Sequence, residues 1–586
     1  MRSGGEVLFR NERVDREGSS DCATHVHCPL NTGWTGPGYG PLDLAVLLQY
    51  SEAVTPPSIF NDVLGPVMRG PSSSHSAASL RIGRLARDLM GGDVKEVVVE
   101  YDPNGALVTT HESQGSDLGL FGGLMGWQTD DERLPDFREE IEEAGIKVEI
   151  RYVSYGAEHP NTYKLTLRNR DEERTMQAIS TGGGMIVVQK IEGAGVEIEG
   201  DYYETLVFLS DAGAADGLVG WLTSSFSFEE VQTRPGGKEM LIEIRSRSAL
   251  DEELLAELRG NPAVSVVRVL HPVLPVLSRR DLSVPWLCCA EMESYREGRD
   301  GELGLGDLGA IYEGERGGIS VEEVRERMGR LVETMEGSIQ TGLEGTSFAD
   351  RILPAQSPRF AERMKAGELV PGDVLNRMIM YVSSLMEVKS SMGVIVAAPT
   401  AGSCGALPGA VLGVADALGK SREERIEAML AAGMIGVFIA AHSTFAAEEA
   451  GCMAECGSGA AMAAAGIVLL MEGSFEQQMG AASMALQNSL GMTCDTLANR
   501  VEAPCLGRNV TAASNALSSA NMALADYQHL VPFDEVVDAM KQVGDLMPRE
   551  ICCTGLGGLA ITPTSKAWEE QLARGCGTCG KVEVES

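Results

Sequence analysis

The hydrophobic pattern divides the chain into a region of strands and helices and a longer region of apolar helices. Between residues 56 and 195, apolar runs at 97–101 and 147–153 predict strands, and the apolar spacing of 77–90 predicts a helix. A capping box at 320–323 then opens a region dense in Ala, Gly and Met. These patterns predict an α/β domain over 56–195 and an all-α domain of close-packed helices over 319–566.

A third pattern lies between these two domains, over 200–276. Strands and helices are predicted in the order βαββαβ, at 204–209, 213–223, 230–234, 240–245, 250–259 and 265–270. This order is that of a ferredoxin-like module. The pattern leaves open whether the module regulates the protein or only separates the two larger domains.

The remaining segments lack a clear hydrophobic period. Residues 1–55 are rich in Gly, Asp and Arg and are interpreted as a loosely ordered extension, and 277–318 as a linker. The tail, 567–586, contains Cys576 and Cys579 in a Cys-x-x-Cys motif. Such a pair could be redox-active, could bind a metal, or could have no function.

Composition and charge narrow the class of protein. A chain of 586 residues is too long for one core, so several domains are expected. The formal charge of −36 argues against nucleic acid or an anionic membrane as a partner. Thirteen scattered cysteines do not resemble a secreted disulfide framework, and neither a signal peptide nor a membrane span is expected. We therefore expect a cytoplasmic protein.

Three cysteines are the main candidates for chemistry. Cys452, Cys494 and Cys505 each lie near a glycine or proline, at the edge of an apolar segment. Three soft sulfur donors without a matching histidine favour an iron–sulfur cluster over a hard cation. Small cysteines are also common in such cores, and the spacing alone leaves both interpretations open.

A serine-rich loop is the second candidate site. Ser72, Ser73, Ser74 and His75 precede the helix predicted at 77–90. The N–H groups and the positive dipole at a helix start favour an anion such as a carboxylate. The alternative is that a serine only caps the helix.

Several motifs together resemble the iron–sulfur-dependent L-serine dehydratases with their beta and alpha parts fused in one chain. The three cysteine segments, 451–457, 491–495 and 503–509, are similar to those of the family at the same spacings. The resemblance extends to Ala398-Pro-Thr-Ala-Gly-Ser-Cys-Gly-Ala-Leu-Pro-Gly409 and Thr554-Gly-Leu-Gly-Gly-Leu-Ala560. It also includes Gly70-Pro-Ser-Ser-Ser-His-Ser76, which lies far upstream.

This resemblance implies a lyase that converts L-serine to pyruvate and ammonia. It implies a [4Fe-4S] cluster held by Cys452, Cys494 and Cys505, and it does not call for pyridoxal phosphate. The substrate-binding residues it implies are Ser72, Ser73, Ser74, Thr400, Gly402 and Ser403, and His75 is implied as the base or as the residue that orients the base. The 200–276 module resembles ACT domains, which bind amino acids and pair with a second copy, so a homodimer is expected.

Some positions depart from the family pattern. Gln114 stands where the family usually has histidine, Met453 replaces a glutamine, and Gly507 replaces an acidic residue. Cys456 replaces an apolar residue and Cys404 does not match the ligand spacing, so both are left out of the ligand set. A related lyase acting on threonine or cysteine therefore stays open, as does a non-catalytic amino-acid sensor with a structural metal.

Three protein ligands leave one iron of the cluster without a cysteine. Some relatives offer a C-terminal cysteine to this position, but here neither Cys576 nor Cys579 is terminal. We therefore expect an open iron position in the resting enzyme.

Overall fold

The computed structural model describes residues 55–236, 239–299 and 302–575. The predicted extension up to residue 54 and the tail cysteines Cys576 and Cys579 lie outside these ranges. Residues 567–575 belong to a helix that begins before the predicted tail.

The first region is built on a mixed six-stranded sheet. A short strand β1 (Val67–Met68) precedes it. The strand order of the sheet is β3-β2-β4-β5-β6-β7, and only the β2–β3 pair is parallel. Its strands are β2 (Glu96–Tyr101), β3 (Lys147–Tyr152), β4 (Thr162–Arg168), β5 (Glu173–Gly182), β6 (Met185–Ile191) and β7 (Ala194–Ile198).

Helices cover this sheet and fill its core. The buried residues of the longest helix pack with the apolar residues of the strands, because its apolar positions recur on one face. The helices are α1 (Ala78–Leu89), α2 (Leu107–Thr110), α3 (Ser116–Leu124) and α4 (Phe137–Glu143). The predicted α/β class is confirmed for this region.

The second region has the predicted order βαββαβ. Its four strands form an antiparallel sheet in the order β11-β8-β10-β9. The elements are β8 (Tyr203–Leu209), α5 (Ala215–Ser225), β9 (Glu230–Arg234), β10 (Met240–Ser246), α6 (Glu252–Gly260) and β11 (Val264–Leu270). This strand order is that of the ferredoxin-like arrangement.

The third region is helical. Its elements are α7 (Cys289–Glu297), α8 (Leu305–Gly317), α9 (Val321–Glu344), α10 (Ser357–Lys365), α11 (Asp373–Ser390), β12 (Ile395–Val396), α12 (Ala406–Leu418), α13 (Arg422–His442), α14 (Ala447–Cys452), α15 (Ser458–Leu470), α16 (Phe475–Gln487), α17 (Cys505–Leu524), α18 (Phe533–Asp545) and α19 (Pro563–Gly575). Single helical turns lie between some of them, at Met453–Gly457, Leu497–Asn499, Arg549–Ile551 and Gly558–Ile561.

Small residues allow these helices to pack closely, as their density predicted. A Cβ atom on Gly409 would lie 2.8 Å from the backbone nitrogen of Val382, and one on Gly466 would lie 3.0 Å from the carbonyl oxygen of Ala428. Larger side chains at these positions would push α12 from α11 and α15 from α13.

Two stretches of this region are long and apolar enough to cross a membrane. They are α13 and the run Ala447–Leu470, and 72% and 89% of their most apolar windows are buried in the structure. Burial of this extent is typical of the central helices of a large core.

The first and third regions share structure. β1 pairs with β12 (Val67 with Val396), and the turn Ile59–Val63 lies in the core of the helical region. The expectation of a strand-free helical domain is therefore wrong at residues 395–396, because two residues are too few to show an alternating pattern. The predicted linker also contains α8, whose apolar residues belong to the helical core.

Candidate active site

The serine-rich loop of the first region contacts the helical region at two points. The backbone N–H of Ala401 donates a hydrogen bond to Ser73 Oγ at 3.2 Å, and Ser74 Oγ donates to Glu448 Oε1 at 2.8 Å. Ala401 lies in the predicted substrate loop, and Glu448 lies on the helix that ends at Cys452. Motifs that are far apart in sequence are thus brought to one place.

The serine-rich loop forms a tight helical turn, Ser73–Ala77, before α1. Ser72 occupies the cap position but makes no side-chain capping hydrogen bond; its hydroxyl lies 3.1 Å from His75 Nδ1 instead. Ser180 Oγ, on β5, donates to the Ser74 carbonyl at 2.7 Å and holds the turn from behind. The capping alternative therefore does not describe Ser72.

The hydrogen bonds of His75 fix its tautomer. Thr110 Oγ1 donates to the carbonyl oxygen of Ala106 at 2.8 Å, so it accepts from His75 Nε2, 2.9 Å away. The proton then lies on Nε2, and Nδ1 accepts from the Ser72 hydroxyl at 3.1 Å; the Ser74 hydroxyl lies equally close to Nδ1 but donates its proton to Glu448. Burial lowers the pKa of His75, and the charge of Glu448 opposes that shift. His75 is therefore a buried, neutral imidazole with its lone pair directed at the serines.

A second titratable group, Glu455, contacts the predicted substrate loop, residues 400–403. The Thr400 hydroxyl lies 2.6 Å from Glu455 Oε1 and donates to it, and it lies 3.0 Å from Ser403 Oγ. Burial raises the pKa of Glu455 to about 7, although the Thr400 hydrogen bond opposes the shift. Gly402 leaves room for this carboxylate, since a Cβ there would lie 2.6 Å from Oε1.

The three predicted cluster ligands lie at the ends of helices or in a loop, as their glycine and proline neighbours indicated. Cys452 is the last residue of α14, Cys505 is the first of α17, and Cys494 lies between α16 and α17. All three are buried, with at most 4% of each residue exposed. Burial raises the pKa of the Cys505 thiol, and the neighbouring Cys452 raises it further.

Two cations lie near these thiols. Lys389 is fully buried and donates a hydrogen bond to the Val501 carbonyl; its charge opposes the rise in the pKa of Cys505. Arg508 pairs with Asp495; burial lowers the pKa of Arg508, but this pair and the charges of Cys452 and Cys494 raise it overall. Both positive charges favour thiolates at this place.

The donor set suits a cluster better than a single ion. Within the residues that the structure describes, no group of three or more His, Cys, Asp or Glu side chains is placed to hold one metal ion. An iron–sulfur cluster has a different requirement, because its cysteine thiolates bind different irons and surround the cluster. Three buried thiols from separate chain segments, beside two cations, fit that requirement.

Asn509 joins the cysteine segments to the substrate loop. Its side chain donates to the carbonyl oxygens of Gly402 and Cys505 at 2.8 and 2.9 Å, and it accepts from the N–H groups of Gly405 and Ala406 at 3.1 and 2.9 Å. The start of α17 and the start of α12 are therefore held together through one buried amide.

Sequence reasoning missed several residues that the structure places here. Glu448 and Glu455 lie on either side of Cys452; the position of Glu455 inside the 451–457 motif was an available signal, whereas Glu448 lies outside that motif. Thr110 gave no signal, because its role depends on His75, which is distant in sequence. Cys456 and Cys553 each make a hydrogen bond with a predicted ligand, Cys452 and Cys494 respectively.

Gln114 also lies beside the cysteines. Its Nε2 donates to Cys553 Sγ at 3.7 Å, so the position where the resemblance expects histidine faces the cysteines. Cys404 is different: its thiol lies against Met386 Sδ at 3.8 Å, and burial raises its pKa to about 12.

Comparison with known proteins gives matches over most of the chain. The model of the family described as serine dehydratase alpha chain matches residues 224–560. A probable L-serine dehydratase alpha chain from Bacillus subtilis is 37% identical over 254 residues, which is 43% of this chain and 85% of the relative. A probable L-serine dehydratase beta chain from the same organism is 33% identical, over 35% of this chain and 94% of the relative. L-serine dehydratase 1 from Escherichia coli is 25% identical, over 84% of this chain and 96% of the relative.

Proposed function

The chain belongs to the serine dehydratase family, and from that premise we propose that it is an L-serine ammonia-lyase, which converts L-serine to pyruvate and ammonia. One observation carries the proposal: the serine-rich loop, the 400–403 loop and the cysteine motifs meet at one place through the Ser73–Ala401 and Ser74–Glu448 hydrogen bonds. A single small substrate can contact all of them only if they converge in this way.

We propose that Cys452, Cys494 and Cys505 hold a [4Fe-4S] cluster. When bound, the cluster supplies a Lewis-acid iron that makes the serine hydroxyl a better leaving group. The proposal does not call on pyridoxal phosphate, since the sequence contains no recognisable lysine motif for it.

The substrate carboxylate is assigned to the serine-rich turn. The first N–H groups of the turn Ser73–Ala77 are not used within the helix, and its dipole favours an anion. The hydroxyls of Ser72 and Ser74 can rotate toward a bound carboxylate, because they are donors and acceptors at once. Thr400, Gly402 and Ser403 belong to the loop whose Ala401 N–H donates to Ser73 Oγ, and they are proposed to contact the amino group or the hydroxyl.

Two residues can move protons in the proposed reaction. The Cα proton must leave, the Cβ–O bond must break, and the departing oxygen must gain a proton to become water. His75 holds its lone pair at Nδ1, among the serines, and suits the removal of a proton. Glu455, with a pKa of about 7, can accept or return a proton near neutral pH. The released 2-aminoacrylate then rearranges to an imine, which water hydrolyses to pyruvate and ammonia.

The 200–276 module is proposed to be an ACT-like regulatory domain that binds an amino acid and pairs with a second copy in a homodimer. The serine substrate and the reduced cysteines suit a cytoplasmic location.

The test is to purify the protein anaerobically, measure its iron and sulfide, and supply L-serine, L-threonine or L-cysteine. We expect equal amounts of pyruvate and ammonia from L-serine, with pyruvate measured by NADH consumption with lactate dehydrogenase. Threonine as the substrate would give 2-oxobutyrate, and cysteine would release sulfide with pyruvate. Protein that contains iron and sulfide but forms none of these products would overturn the lyase assignment in favour of a sensor.

A further inference from the structure

A fourth cysteine, Cys553, is held against the three predicted ligands by its backbone. The N–H of Cys494 donates to the Ile551 carbonyl at 2.8 Å, and the N–H of Cys553 donates to the Cys494 carbonyl at 2.8 Å. This short parallel bridge fixes the loop after the turn Arg549–Ile551 beside the Cys494 segment. The position of Cys553 is therefore set by two hydrogen bonds rather than by side-chain packing alone.

The two adjacent cysteines of this loop, Cys552 and Cys553, have different surroundings. The Cys552 thiol donates to the carbonyl oxygens of Pro548 and Glu449, at 3.5 and 3.8 Å. The Cys553 thiol instead lies beside the thiol of Cys494 and contacts Gln114 Oε1 at 4.0 Å.

The surroundings of Cys553 are those of a metal-binding thiolate. The residue is buried, with 5% of it exposed. The amide of Gln114 donates to its sulfur at 3.7 Å, and donors of this kind stabilise thiolates at iron–sulfur clusters. Cys553 has a φ of +59°, and non-glycine residues in this conformation concentrate at functional sites.

With Cys553 included, each of four separate chain segments contributes one thiol. They are the end of α14, the loop before α17, the start of α17 and the loop after Arg549–Ile551. Resting on the proposed function, we propose that Cys553 is the fourth thiolate ligand of the cluster in the resting enzyme. Its thiol proton leaves as the sulfur–iron bond forms, so the step needs no oxidant. This replaces the expectation of an open iron position.

Cys456 is the rival for this role. It is fully buried, and its thiol makes a hydrogen bond with that of Cys452. It lies in the turn Met453–Gly457, directly after Cys452, so it brings no additional chain segment to the site. The experiment therefore includes Cys456→Ser as a direct comparison, and Cys552→Ser as the matched control.

The experiment measures the irons themselves. Anaerobic protein labelled with ⁵⁷Fe is studied by Mössbauer spectroscopy, as wild type and as Cys553→Ser, Cys456→Ser and Cys552→Ser. We expect no oxygen-coordinated iron in the wild type, Cys456→Ser or Cys552→Ser, and one such iron per cluster in Cys553→Ser. We also expect Cys553→Ser to lose that iron in air at least about tenfold faster, as the appearance of a three-iron EPR signal.

The outcomes separate this inference from the proposed function. An oxygen-coordinated iron already present in the wild type, or a spectrum that changes in Cys456→Ser and not in Cys553→Ser, would overturn the role of Cys553 and leave the lyase assignment intact. A wild type without iron and sulfide would overturn both. If Cys553→Ser and a second variant, Cys553→Ala, both fail to fold, the wild-type spectrum alone decides: all-thiolate coordination supports the inference, and an oxygen-coordinated iron contradicts it.

Discussion

At the scale of single residues, the site combines neutral and acidic groups whose environments differ. His75 is held neutral by burial and by the acceptor Thr110, whereas Glu455 is buried beside the Thr400 hydroxyl. The pKa of Glu455, about 7, means that its charge changes within the physiological range. We therefore expect the enzyme activity to change with pH as Glu455 gains or loses its proton.

Glu455→Gln tests this role. We expect kcat to fall at least about 100-fold, the usual contribution of a positioned acid or base. With Glu455 as the proton acceptor, which acts only when deprotonated, kcat/KM of the wild type should rise with pH through about 7. Glu455→Gln should lack this rise. Glu449→Gln, on the more exposed neighbouring carboxylate, is the control and should keep the wild-type profile.

The predicted ligands allow a second test at this scale. Replacing Cys452, Cys494 or Cys505 by Ser should remove most of the iron and all turnover, because a hard hydroxyl replaces a soft thiolate. Iron and sulfide analysis with the visible spectrum measures the loss. Cys552→Ser, whose thiol faces Pro548, should keep both. If a serine variant keeps its full iron content and normal turnover, the cysteine that was replaced is not a ligand.

At the scale of elements, glycines set the distance between the helix after the serine-rich turn and its neighbour α3. A Cβ on Gly119 would overlap the carbonyl oxygen of Ser76, and one on Gly123 would overlap that of Leu80. The serine-rich turn and α3 are thus in backbone contact. Any added side-chain atom on this face must move the turn that is proposed to bind substrate.

Gly119→Ala should therefore affect both stability and substrate binding. Overpacking of this kind destabilises by about 1–3 kcal/mol, and the shifted turn should raise the KM for L-serine. Gly217→Ala is the matched control, since it lies within helix α5 and a Cβ there meets nothing within 4 Å. It should leave KM unchanged and raise stability slightly, by up to about 1 kcal/mol. Thermal unfolding and initial rates measure the two effects; an unchanged KM in Gly119→Ala would contradict the link.

The elements themselves were largely predictable, because their hydrophobic periods are local. The helix predicted at 77–90 is Ala78–Leu89, and the βαββαβ order matches element by element. The contacts that complete the site were not predictable. Thr110 orients His75 from another helix, and Cys553 reaches Cys494 through backbone pairing. Such contacts depend on how distant elements pack, which periodicity does not encode.

At the scale of the whole molecule, the segment before the α/β sheet is anchored in the helical core. Ile59 packs against Gly433 of α13, and Asn61 exchanges hydrogen bonds with the backbone of Val276 at 2.8 and 3.0 Å. The Tyr312 hydroxyl donates to the Pro57 carbonyl at 2.9 Å. The predicted α/β domain, 56–195, therefore begins with residues that belong to the core of the helical region.

Glu313 of α8 is the titratable group at the centre of that anchor, and it makes the anchor sensitive to pH. Its carboxylate accepts hydrogen bonds from Ser58 Oγ at 2.6 Å and from the N–H of Ile59 at 2.7 Å. Burial raises its pKa from 4.5 to about 7, although the charge of Arg316 opposes the shift. The folded protein therefore holds a proton on Glu313 that the unfolded chain releases at lower pH.

The consequence is a loss of stability as pH rises. The contribution of Glu313 is fully present below pH 4.5 and is lost as pH rises from there through about 7, by about 3 kcal/mol. Glu313→Gln stays neutral, so the thermal midpoint of this variant should fall less than that of the wild type between about pH 4.5 and pH 8, whatever its starting value. Glu315→Gln, exposed on the same helix, should follow the wild type. Parallel curves for Glu313→Gln and the wild type would mean that other buried carboxyls near this anchor, such as Glu199 and Asp201, determine the pH dependence.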